Sequence, residues 1–570
     1  MSTPDRTYLL RKRQHLTTTL IESPYDLILY LERAVAHSSL GYPDLAAGDA
    51  YRALLLADEV RDEGFEYHAL AKDALSWHAE SGLTPEVLLP AGCVEGPLDD
   101  DDDQYGDGGG GGGGVLPLSA LLRLASVRAF QLLASSLLRI GCLRSAAEFC
   151  DRGLALVPEN GGLKATKAAV YQAARERLGL AAESSNDLMD PQSLPDRGLV
   201  RREVYPWNEY EPDRFSEEAI GFLNGQLDKV APKVEVRVSR LPVLVGDEEG
   251  GDDAPGAGDG EGEEKEVAMC NQLGLFAKED IAPGEVVLDE YSVLTANNRH
   301  KESACDACGE EIPGLHSAED GGDGKQPVPC SECDDTVFCS EACLEAALEQ
   351  YHPAVCDKDI DSIAKDPEAK DIDQSLYLLL LARVLAMAEH QGIHPLEVKE
   401  VKYIWGDFLP SPASHPTLPF SFTYNISLPL HLLERMDINI YTHLPSSDLW
   451  ILNTLYAKFR GTASARKNPR DGRPDLAAVH PLWCLANHDC DPNVTWLWEG
   501  GRMVLRARET RVVSGEKGGL KKGEEVLNHY CDVELPVRLR REWARGSLGG
   551  WCMCGRCRRE AKEEVKGEGR

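Results

Sequence analysis

The chain has 570 residues and carries 60 lysines and arginines against 95 aspartates and glutamates, which gives a formal net charge of −35. Direct binding to duplex nucleic acid is therefore not expected, since that binding depends on a positive field, whereas a basic protein partner would be attracted. A hydrophobic content of 42% excludes disorder along the whole chain. The length predicts about three or four domains.

No targeting or membrane-spanning segment is predicted. The first twenty residues contain no apolar run of the kind that secretory signals carry. The most apolar stretch, Leu376 to Met387, is interrupted by Arg383 and is too short to cross a bilayer. We therefore expect no membrane association and a location in the nucleus, the cytoplasm or both.

Residues 17–190 are predicted to be helical and to contain a repeat with an offset of 100 residues. Each copy has one large residue, then small residues and a turn glycine: Tyr30, Ala34, Gly41, Ala46 and Ala53, and later Phe130, Ala134, Gly141, Ala146 and Gly153. This spacing is typical of tetratricopeptide repeats, in which two helices pack through small residues around a tight turn. Such repeats either bind protein partners on a concave surface or support the rest of the chain.

Two acidic, glycine-rich stretches interrupt the chain at 98–114 and 246–266. Their composition predicts disorder because they have almost no apolar surface to bury. Residues 191–245 are predicted to be a connecting segment. From about residue 267 the pattern changes to strands, with a turn at Pro283-Gly284. The further elements predicted are a helical hairpin at 374–406 and strands at 493–498, 503–507 and 525–530.

Eight metal-binding side chains fall within one short segment, 305–356. They form close pairs: Cys305 and Cys308, Cys330 and Cys333, Cys339 and Cys343, His352 and Cys356. Eight thiolate or imidazole ligands satisfy two tetrahedral zinc ions with none left over. The segment has almost no core of its own, so metal binding must supply most of its folding energy.

A third metal site is predicted at the C-terminal end. Cys552, Cys554 and Cys557 supply three thiolates, and the fourth ligand must come from elsewhere in the chain. On spacing alone, Cys484, Cys490 and Cys531 are all available.

The order and spacing of the first eight ligands resemble a MYND zinc finger. In that family the pairs interleave, which implies one zinc held by Cys305, Cys308, Cys339 and Cys343. The second zinc would be held by Cys330, Cys333, His352 and Cys356. The resemblance also implies a protein-binding module. The spacing between Cys308 and Cys330 is longer than is usual in that family, so a loop at 316–326 is expected to be extruded.

Three further motifs resemble the catalytic half of a SET-domain lysine methyltransferase. They are NHDCDPN at 487–493, GEEVLNHY at 523–530 and CMCGRC at 552–557, preceded by the GLFA strand at 274–277. A MYND finger after the opening strand is the arrangement of the SMYD branch. The resemblance covers about residues 267–558. It implies a SET domain at 267–300 and 357–535, the MYND finger at 305–356 and a post-SET zinc lid at 536–560.

The resemblance also implies the site residues. Tyr530 takes the place of the catalytic tyrosine. Residues in cofactor-binding positions for S-adenosylmethionine are Gly274, Leu275, Phe276, Asn487, His488 and Trp551. Cys490 joins Cys552, Cys554 and Cys557 around a third zinc, so about three zinc ions are expected.

The chain departs from the family pattern at three places. Gln272 replaces the first opening glycine, and Asp489 stands where serine is common. The aromatic residue two positions before the CxC motif is absent, because the chain runs Gly549-Gly550-Trp551. Trp551 either supplies the missing ring in the cofactor or lysine channel or is an ordinary packing residue of the lid.

The fold class predicted is multidomain α+β: an all-α tetratricopeptide-like N-terminal region, a β-rich SET core with a helical insert, and small zinc-stabilised MYND and post-SET modules. The function implied is S-adenosylmethionine-dependent protein-lysine N-methylation of a basic protein, a histone tail or a non-histone lysine. Protein partners would bind through the repeats and the MYND finger. The alternative is a non-catalytic adaptor, which would not need Asn487, His488, Cys490 and Tyr530 together.

Overall fold

The computed structural model divides the chain into two compact units. The first comprises Met1–Arg201 with Thr417–Leu452, and the second comprises Arg202–Pro416 with Asn453–Arg570. The predicted disordered stretches 98–114 and 246–266, the loop 316–326 and Gly549 lie outside the described residues. The structure describes residues 5–81, 84–89, 116–180, 190–201, 203–242, 269–300, 303–312, 327–333, 336–360, 362–404, 417–468, 471–548 and 550–568.

The first unit is built from helices with one small two-stranded sheet, in which β1 (Gly198–Arg201) pairs with β8 (Thr417–Phe420) in antiparallel fashion. Its N-terminal elements are α1 (Arg6–Glu22), α2 (Leu27–Leu40), α3 (Pro43–Arg61), α4 (His68–Glu80), α5 (Leu118–Ile140), α6 (Leu143–Leu156), α7 (Gly161–Leu178) and β1 (Gly198–Arg201). The later segment adds β8 (Thr417–Phe420), a π-helical turn (Thr423–Ser427), α12 (Leu428–Arg435) and α13 (Leu444–Ser447).

The two copies of the predicted repeat form matching helix pairs. Helix α2 ends in Gly41 and α5 ends in Gly141, and both glycines adopt the left-handed conformation that lets the chain reverse into the next helix. The corresponding large residues, Tyr30 and Phe130, are buried, as are the small residues of each copy. The helices and turns therefore follow the repeat, while their assignment to the tetratricopeptide family stays a prediction.

Helix α5 is an apolar helix that the sequence analysis did not single out. Among the described residues, it is the one helix long and apolar enough to cross a membrane, with a mean hydropathy of 1.3 over its most apolar window. Of that window, 61% is buried inside the protein, as in the core helix of a globular unit. The sequence pointed instead to Leu376 to Met387, which the structure places within α10 (Ile372–Gln391).

The segment 417–452 packs into the helical unit although the sequence places it in the SET domain. A buried charge cluster links it to α1, α2 and α3. The Arg33 guanidinium is fully buried and forms ion pairs with Asp49 at 2.6 Å and with Asp448 at 3.1 Å. Arg13 and Arg52 each approach Asp448 at 3.7 Å. Asp448 therefore balances three guanidinium groups from helices far away in sequence.

The second unit contains the remaining strands and helices. The strands are β2 (Val234–Pro242), β3 (Met269–Ala277), β4 (Val286–Tyr291), β5 (Thr295–Asn297), β6 (Val328–Pro329), β7 (Val337–Phe338), β9 (Ala463–Lys467), β10 (Pro474–Val479), β11 (Val494–Glu499) and β12 (Arg502–Ala507). The helices are α8 (Glu217–Val230), α9 (Glu341–Gln350), α10, α11 (Lys399–Lys402), α14 (Leu449–Thr462, of which residues up to Leu452 belong to the first unit), α15 (Val537–Leu548) and α16 (Gly555–Glu568).

Small antiparallel sheets make up the β-structure of the second unit. The strand orders are β5-β10-β9, β11-β12-β4, β2-β3 and β6-β7. Strand β3 pairs along its whole length with β2, from Val234 opposite Ala277 to Pro242 opposite Met269. Apolar residues of α8, β2, β3, β4, β11 and β12 share one core.

Three local predictions differ from the structure. Residues 217–242 form α8 and β2 of the core rather than a connecting segment, because Leu223, Val234 and Val236 are buried with the residues of β3. The predicted hairpin at 374–406 is the single long helix α10 followed by the four-residue α11. Residues 525–530 make isolated bridges to neighbouring segments instead of a regular strand.

Removal of the carboxylate at position 448 should destabilise the helical unit. In Asp448→Asn, the buried Arg33, Arg13 and Arg52 lose a shared partner, and breaking such a buried pair costs about 3–5 kcal/mol. Urea denaturation followed by far-UV circular dichroism measures the change in unfolding free energy. The matched control is Glu159→Gln, whose exposed pair with Lys164 contributes at most about 1 kcal/mol. Equal effects of the two substitutions would contradict the central role of Asp448.

Candidate functional site

The candidate site forms where the segment 487–494 crosses the segment 524–530. The side chain of Asn493 joins them: its Oδ1 accepts the backbone N–H of Leu527 at 2.8 Å and its Nδ2 donates to the Glu525 carbonyl at 2.7 Å. Asn493 is buried, so these bonds are shielded from competing water. One asparagine thus fixes the register of two segments that lie more than thirty residues apart.

Backbone hydrogen bonds continue this crossing toward the NH pair of the NHDCDPN motif. The Asn528 N–H donates to the Asn487 carbonyl at 2.7 Å, and the Asp489 N–H donates to the Asn528 carbonyl at 2.9 Å. His488 and Asn528 are therefore directly opposed as a parallel bridge. The two motifs recognised in the sequence meet in space through this pairing.

Gly274, Asn487 and Glu525 come together on the edge of β3. Asn487 Nδ2 donates to the Leu273 carbonyl at 3.0 Å and to Glu525 Oε1 at 2.8 Å. A Cβ on residue 274 would lie 2.5 Å from that carboxylate oxygen and 3.0 Å from Asn487 Nδ2. Position 274 therefore requires glycine because the side chains of Asn487 and Glu525 approach the backbone there.

His488 connects Tyr530 to the cysteine-rich end of the chain. Its Nδ1 accepts the backbone N–H of Tyr530 at 3.0 Å, and its Nε2 lies 3.4 Å from Cys490 Sγ. A neutral ring that accepts at Nδ1 carries its proton on Nε2, which then donates to the sulfur. The imidazole therefore bridges the backbone of Tyr530 and the sulfur of Cys490.

The Tyr530 side chain is enclosed by aromatic neighbours. Its hydroxyl donates to the Ala486 carbonyl at 2.9 Å, and its ring lies 6.1 Å from that of Trp483 and 5.3 Å from that of His488. Burial raises the pKa of Tyr530 well above its ordinary value. The hydroxyl therefore stays protonated at neutral pH, with its proton directed at Ala486.

The third predicted metal site is assembled from the two distant motifs. Cys490 Sγ lies 3.9 Å from Cys552 Sγ and 3.4 Å from Cys557 Sγ. The set Cys490, Cys552, Cys554 and Cys557 has all its sulfur atoms within 4.8 Å of one another. Cys531 also approaches Cys490 and His488, whereas the Cys484 thiol donates to the Thr462 carbonyl at 3.3 Å.

The eight ligands of 305–356 separate into two groups in the interleaved pairing that the resemblance implies. One group is Cys305, Cys308, Cys339 and Cys343, and the other is Cys330, Cys333, His352 and Cys356. Representative separations are 3.6 Å from Cys308 Sγ to Cys339 Sγ and 3.2 Å from His352 Nε2 to Cys330 Sγ. Within each group all ligand atoms lie within 4.8 Å.

These separations fit zinc. Tetrahedral zinc with Zn–S bonds of about 2.3 Å places its sulfurs about 3.8 Å apart, close to the spacings found, whereas a disulfide needs about 2.0 Å. All the cysteines in the described part of the chain are free thiols. Hydrogen bonds among neighbouring thiols lower the pKa of Cys343 and Cys490 and raise that of Cys308 and Cys552.

Leu275 and Phe276, which are also predicted to bind the cofactor, have different surroundings. The Leu275 side chain is fully buried in the core of the second unit, so only its backbone is available for polar contacts. Its carbonyl accepts a hydrogen bond from the Val526 N–H at 2.7 Å. The Phe276 ring lies beneath the Arg237 guanidinium at 5.5 Å.

Trp551 lies in the C-terminal module, where its ring is flanked by the guanidinium groups of Arg541 and Arg545 at 5.2 and 5.3 Å. Both arginines belong to α15. These contacts describe a ring packed within the lid, and a place for Trp551 in the cofactor or lysine channel stays a prediction.

Two polar residues of the site were not predicted. Glu525 receives Asn487 on one oxygen and the Ser239 hydroxyl, at 2.9 Å, on the other. The Glu524-Glu525 pair lies within a motif that the sequence analysis used, so Glu525 had a usable signal. Ser239 had none, because it lies on β2, in the segment taken for a connector.

Comparison with known proteins finds similarity over the part of the chain that contains the segments 487–494 and 524–530. Residues 272–531 match the family model for the SET domain, somewhat less than half of the chain. The chain is 22% identical over 284 residues to histone-lysine N-methyltransferase ASHR1 of Arabidopsis thaliana, covering 50% of this chain and 52% of that protein. It is 21% identical over 290 residues to SET domain and MYND-type zinc finger protein 6 of Schizosaccharomyces pombe, covering 50% and 49%.

A shorter match reaches higher identity. The chain is 32% identical over 92 residues to human N-lysine methyltransferase SMYD2, covering 16% of this chain and 19% of that protein. The chain thus spans about half the length of the relatives with longer matches. It contains a SET domain, and its cysteine and histidine clusters form zinc-binding modules in a multidomain α+β chain with a helical N-terminal region.

The number of zinc ions bound per chain should depend on the four thiols of the third cluster. Full-length protein purified without chelators should contain about three zinc ions per chain by elemental analysis, and Cys490→Ser should contain about two. Cys484→Ser is the matched control and should keep all three, because its thiol bonds to Thr462 instead. A full zinc content in Cys490→Ser, or loss of zinc in Cys484→Ser or Cys531→Ser, would contradict the assignment.

Proposed function

We propose that this protein is an S-adenosylmethionine-dependent protein-lysine N-methyltransferase that acts on a basic protein. The observation that carries the proposal is the crossing of 487–494 with 524–530. It gathers Tyr530, His488 and Asn487 into one site within the SET domain. The names of the similar proteins, which include histone-lysine and N-lysine methyltransferases, support the same activity.

Tyr530 would act by position rather than as a base. Since its proton is committed to the Ala486 carbonyl, its oxygen lone pairs remain available to accept weak hydrogen bonds from a polarised methyl group or from the target amine. S-adenosylmethionine, when bound, supplies an electrophilic methyl group on a sulfonium. Most of the rate enhancement then comes from holding the amine in line with that methyl group.

The target lysine must lose its proton before it can attack. Its unperturbed pKa is about 10.4, and an enclosed channel lowers that value through desolvation. The enclosed ring of Tyr530 and the neighbouring ring of Trp483 supply apolar walls of this kind. No strong base is therefore required from the chain.

Asn487 and His488 would hold the cofactor side of the site. Asn487 is tied to Leu273 and Glu525, and His488 to Tyr530 and Cys490, so both side chains have defined orientations. Two buried donors nearby, Asn528 Nδ2 and Trp483 Nε1, have no partner in the described part of the chain. These N–H groups fit a ligand rich in acceptor atoms, such as the carboxylate and hydroxyls of S-adenosylmethionine.

The net charge of −35 supports a basic substrate, since a negative field attracts lysine-rich segments and speeds their encounter. Histone tails are the substrate class that we propose first, and other basic proteins share the same chemistry. The MYND-like module and the helical repeats would recruit protein partners. We expect the protein in the nucleus, the cytoplasm or both, where such substrates occur.

The Tyr530→Phe substitution tests the catalytic assignment. It keeps the ring and its packing but removes the hydroxyl, so turnover should fall by about tenfold to a hundredfold, as when a well-placed polar group is lost from a transition state. The affinity for S-adenosylmethionine, measured by calorimetry, should stay nearly unchanged. Turnover is measured with a radiolabelled methyl donor and a mixture of basic proteins.

The matched control is Tyr403→Phe, which removes a hydroxyl from a ring that stacks on Phe222 at 4.7 Å. It should methylate as fast as the parent protein. Asn487→Ala should weaken cofactor binding before it affects turnover. Unchanged turnover in Tyr530→Phe would refute its catalytic role, and a parent protein that binds the cofactor but labels no lysine would favour a non-catalytic adaptor.

A further inference from the structure

The helical unit contains a cavity of about 510 Å³ between the end of α3, the loop that precedes α4, and the end of α12 with the loop that follows it. We call it the acidic cavity. Its floor is apolar, with buried Ile438, Ile440 and Tyr441. Its lining carries five carboxylates: Asp58, Glu59, Glu66, Glu434 and Asp437. No lysine, arginine or histidine is among the described residues that line it.

The carboxylates that line the cavity differ in their partners. Asp58 pairs with Arg61 at 2.7 Å, and Glu434 lies 3.6 Å from His431. Glu59 instead accepts the backbone N–H of Tyr67 at 2.8 Å. Neither Glu59 nor Glu66 forms an ion pair within the part of the chain that the structure describes. The cavity therefore holds two carboxylates, Glu59 and Glu66, that have no ion-pair partner among the described residues.

Three of the groups that line the cavity have raised pKa values. Burial raises the pKa of Glu59, and repulsion by Glu66 and Glu434 adds to the effect. Burial also raises the pKa of Glu434, with a further contribution from Glu66. Burial raises the pKa of Tyr67 to about 12, helped by its hydrogen bond to the Glu66 carboxylate. A cation in the cavity would relieve each of these repulsions.

A second and independent feature points into the cavity. Tyr441 lines it, and the residue is only 3% exposed. Its ring is held by contacts with Tyr25, Tyr30 and Tyr67. Within the described part of the chain this hydroxyl forms no hydrogen bond, and it remains accessible from the cavity. An occupant of the cavity with N–H donors would supply a partner.

We propose that the acidic cavity binds a cationic side chain, the guanidinium or ammonium group of an extended basic protein segment. The carboxylates of Glu59, Glu66 and Glu434 pair with the cation, and the Tyr441 hydroxyl accepts one of its N–H groups. Carboxylates form charge-assisted hydrogen bonds with guanidinium and ammonium groups, and tyrosine rings attract the same cations. The site lies in the helical unit, so it is distinct from the SET-domain site.

Fluorescence anisotropy of the full chain with labelled peptides tests the proposal. One peptide alternates arginine with glycine, a second alternates lysine with glycine, and a neutral third replaces arginine by citrulline. No methyl donor is added, and the arginine peptide contains no lysine, so failure of the proposed methyl transfer does not affect the result. At least one cationic peptide should bind at physiological ionic strength, and the arms show which cation is preferred. The citrulline peptide should not bind.

The triple variant Glu59→Gln, Glu66→Gln and Glu434→Gln should weaken binding by at least about tenfold, since it removes charge-assisted hydrogen bonds to the cation. Tyr441→Phe should weaken binding by about threefold, because it removes one hydrogen bond but keeps the ring. The matched control is Glu22→Gln, Glu80→Gln and Glu159→Gln, three exposed carboxylates of the same unit. It should change the affinity by less than about twofold.

Circular dichroism checks that each variant keeps its helices and its melting midpoint. Three results would overturn the proposal: equal loss of binding in the two triple variants, equal binding of the citrulline peptide, or no binding of either cationic peptide. Equal loss would show attraction by the overall charge of the protein rather than by the cavity.

Discussion

The crossing of two chain segments is the constraint on which the candidate site depends. Asn493 ties the backbone of one motif to that of the other, and the Asn487 and Asn528 backbones pair beyond it. Because these bonds are buried, neither segment can shift without leaving polar groups unpaired. The positions of His488 and Tyr530 follow from this register. The geometry of the site is therefore set by the Asn493 side chain together with the backbone pairing of the two segments.

The cysteine cluster at the C-terminal end extends the same constraint. Cys490 belongs both to the crossing and to the four-thiol set, and His488 links it to the backbone of Tyr530. Arg556 adds a hydrogen bond to the Cys490 carbonyl at 2.7 Å. A metal at this position would hold the C-terminal helices against the site and would at the same time fix the sulfur that orients His488. A metal bound by these thiols would thus be coupled to the position of Tyr530 through Cys490.

Sequence reasoning located the residues with distinctive chemistry and missed those defined only by packing. The cysteines and histidine of 305–356 meet in the groups that the resemblance to a MYND finger implies, and the SET domain itself is found. Strand β2 was missed although Val234, Val236 and Val238 alternate with polar residues, because the acidic stretch after it suggested a domain boundary. The placement of 417–452 in the helical unit had no local signal at all. It depends on Asp448 meeting Arg33, and a pairing across that separation cannot be deduced from one sequence.

The return of 417–452 to the helical unit has a consequence for how this protein is made. Arg33 and Asp448 are 415 positions apart, so at about 5–20 residues per second the ribosome needs roughly 20–80 s between them. During that interval Arg33 can pair with Asp49 and donate to Thr17 of α1 but lacks its second carboxylate, and the surface around Gly48 that later receives Leu449 stays uncovered. The N-terminal helices therefore form an incomplete domain until residues 417–452 have been synthesised. Folding of the first unit is completed late in translation, which makes the order of synthesis differ from the order of assembly.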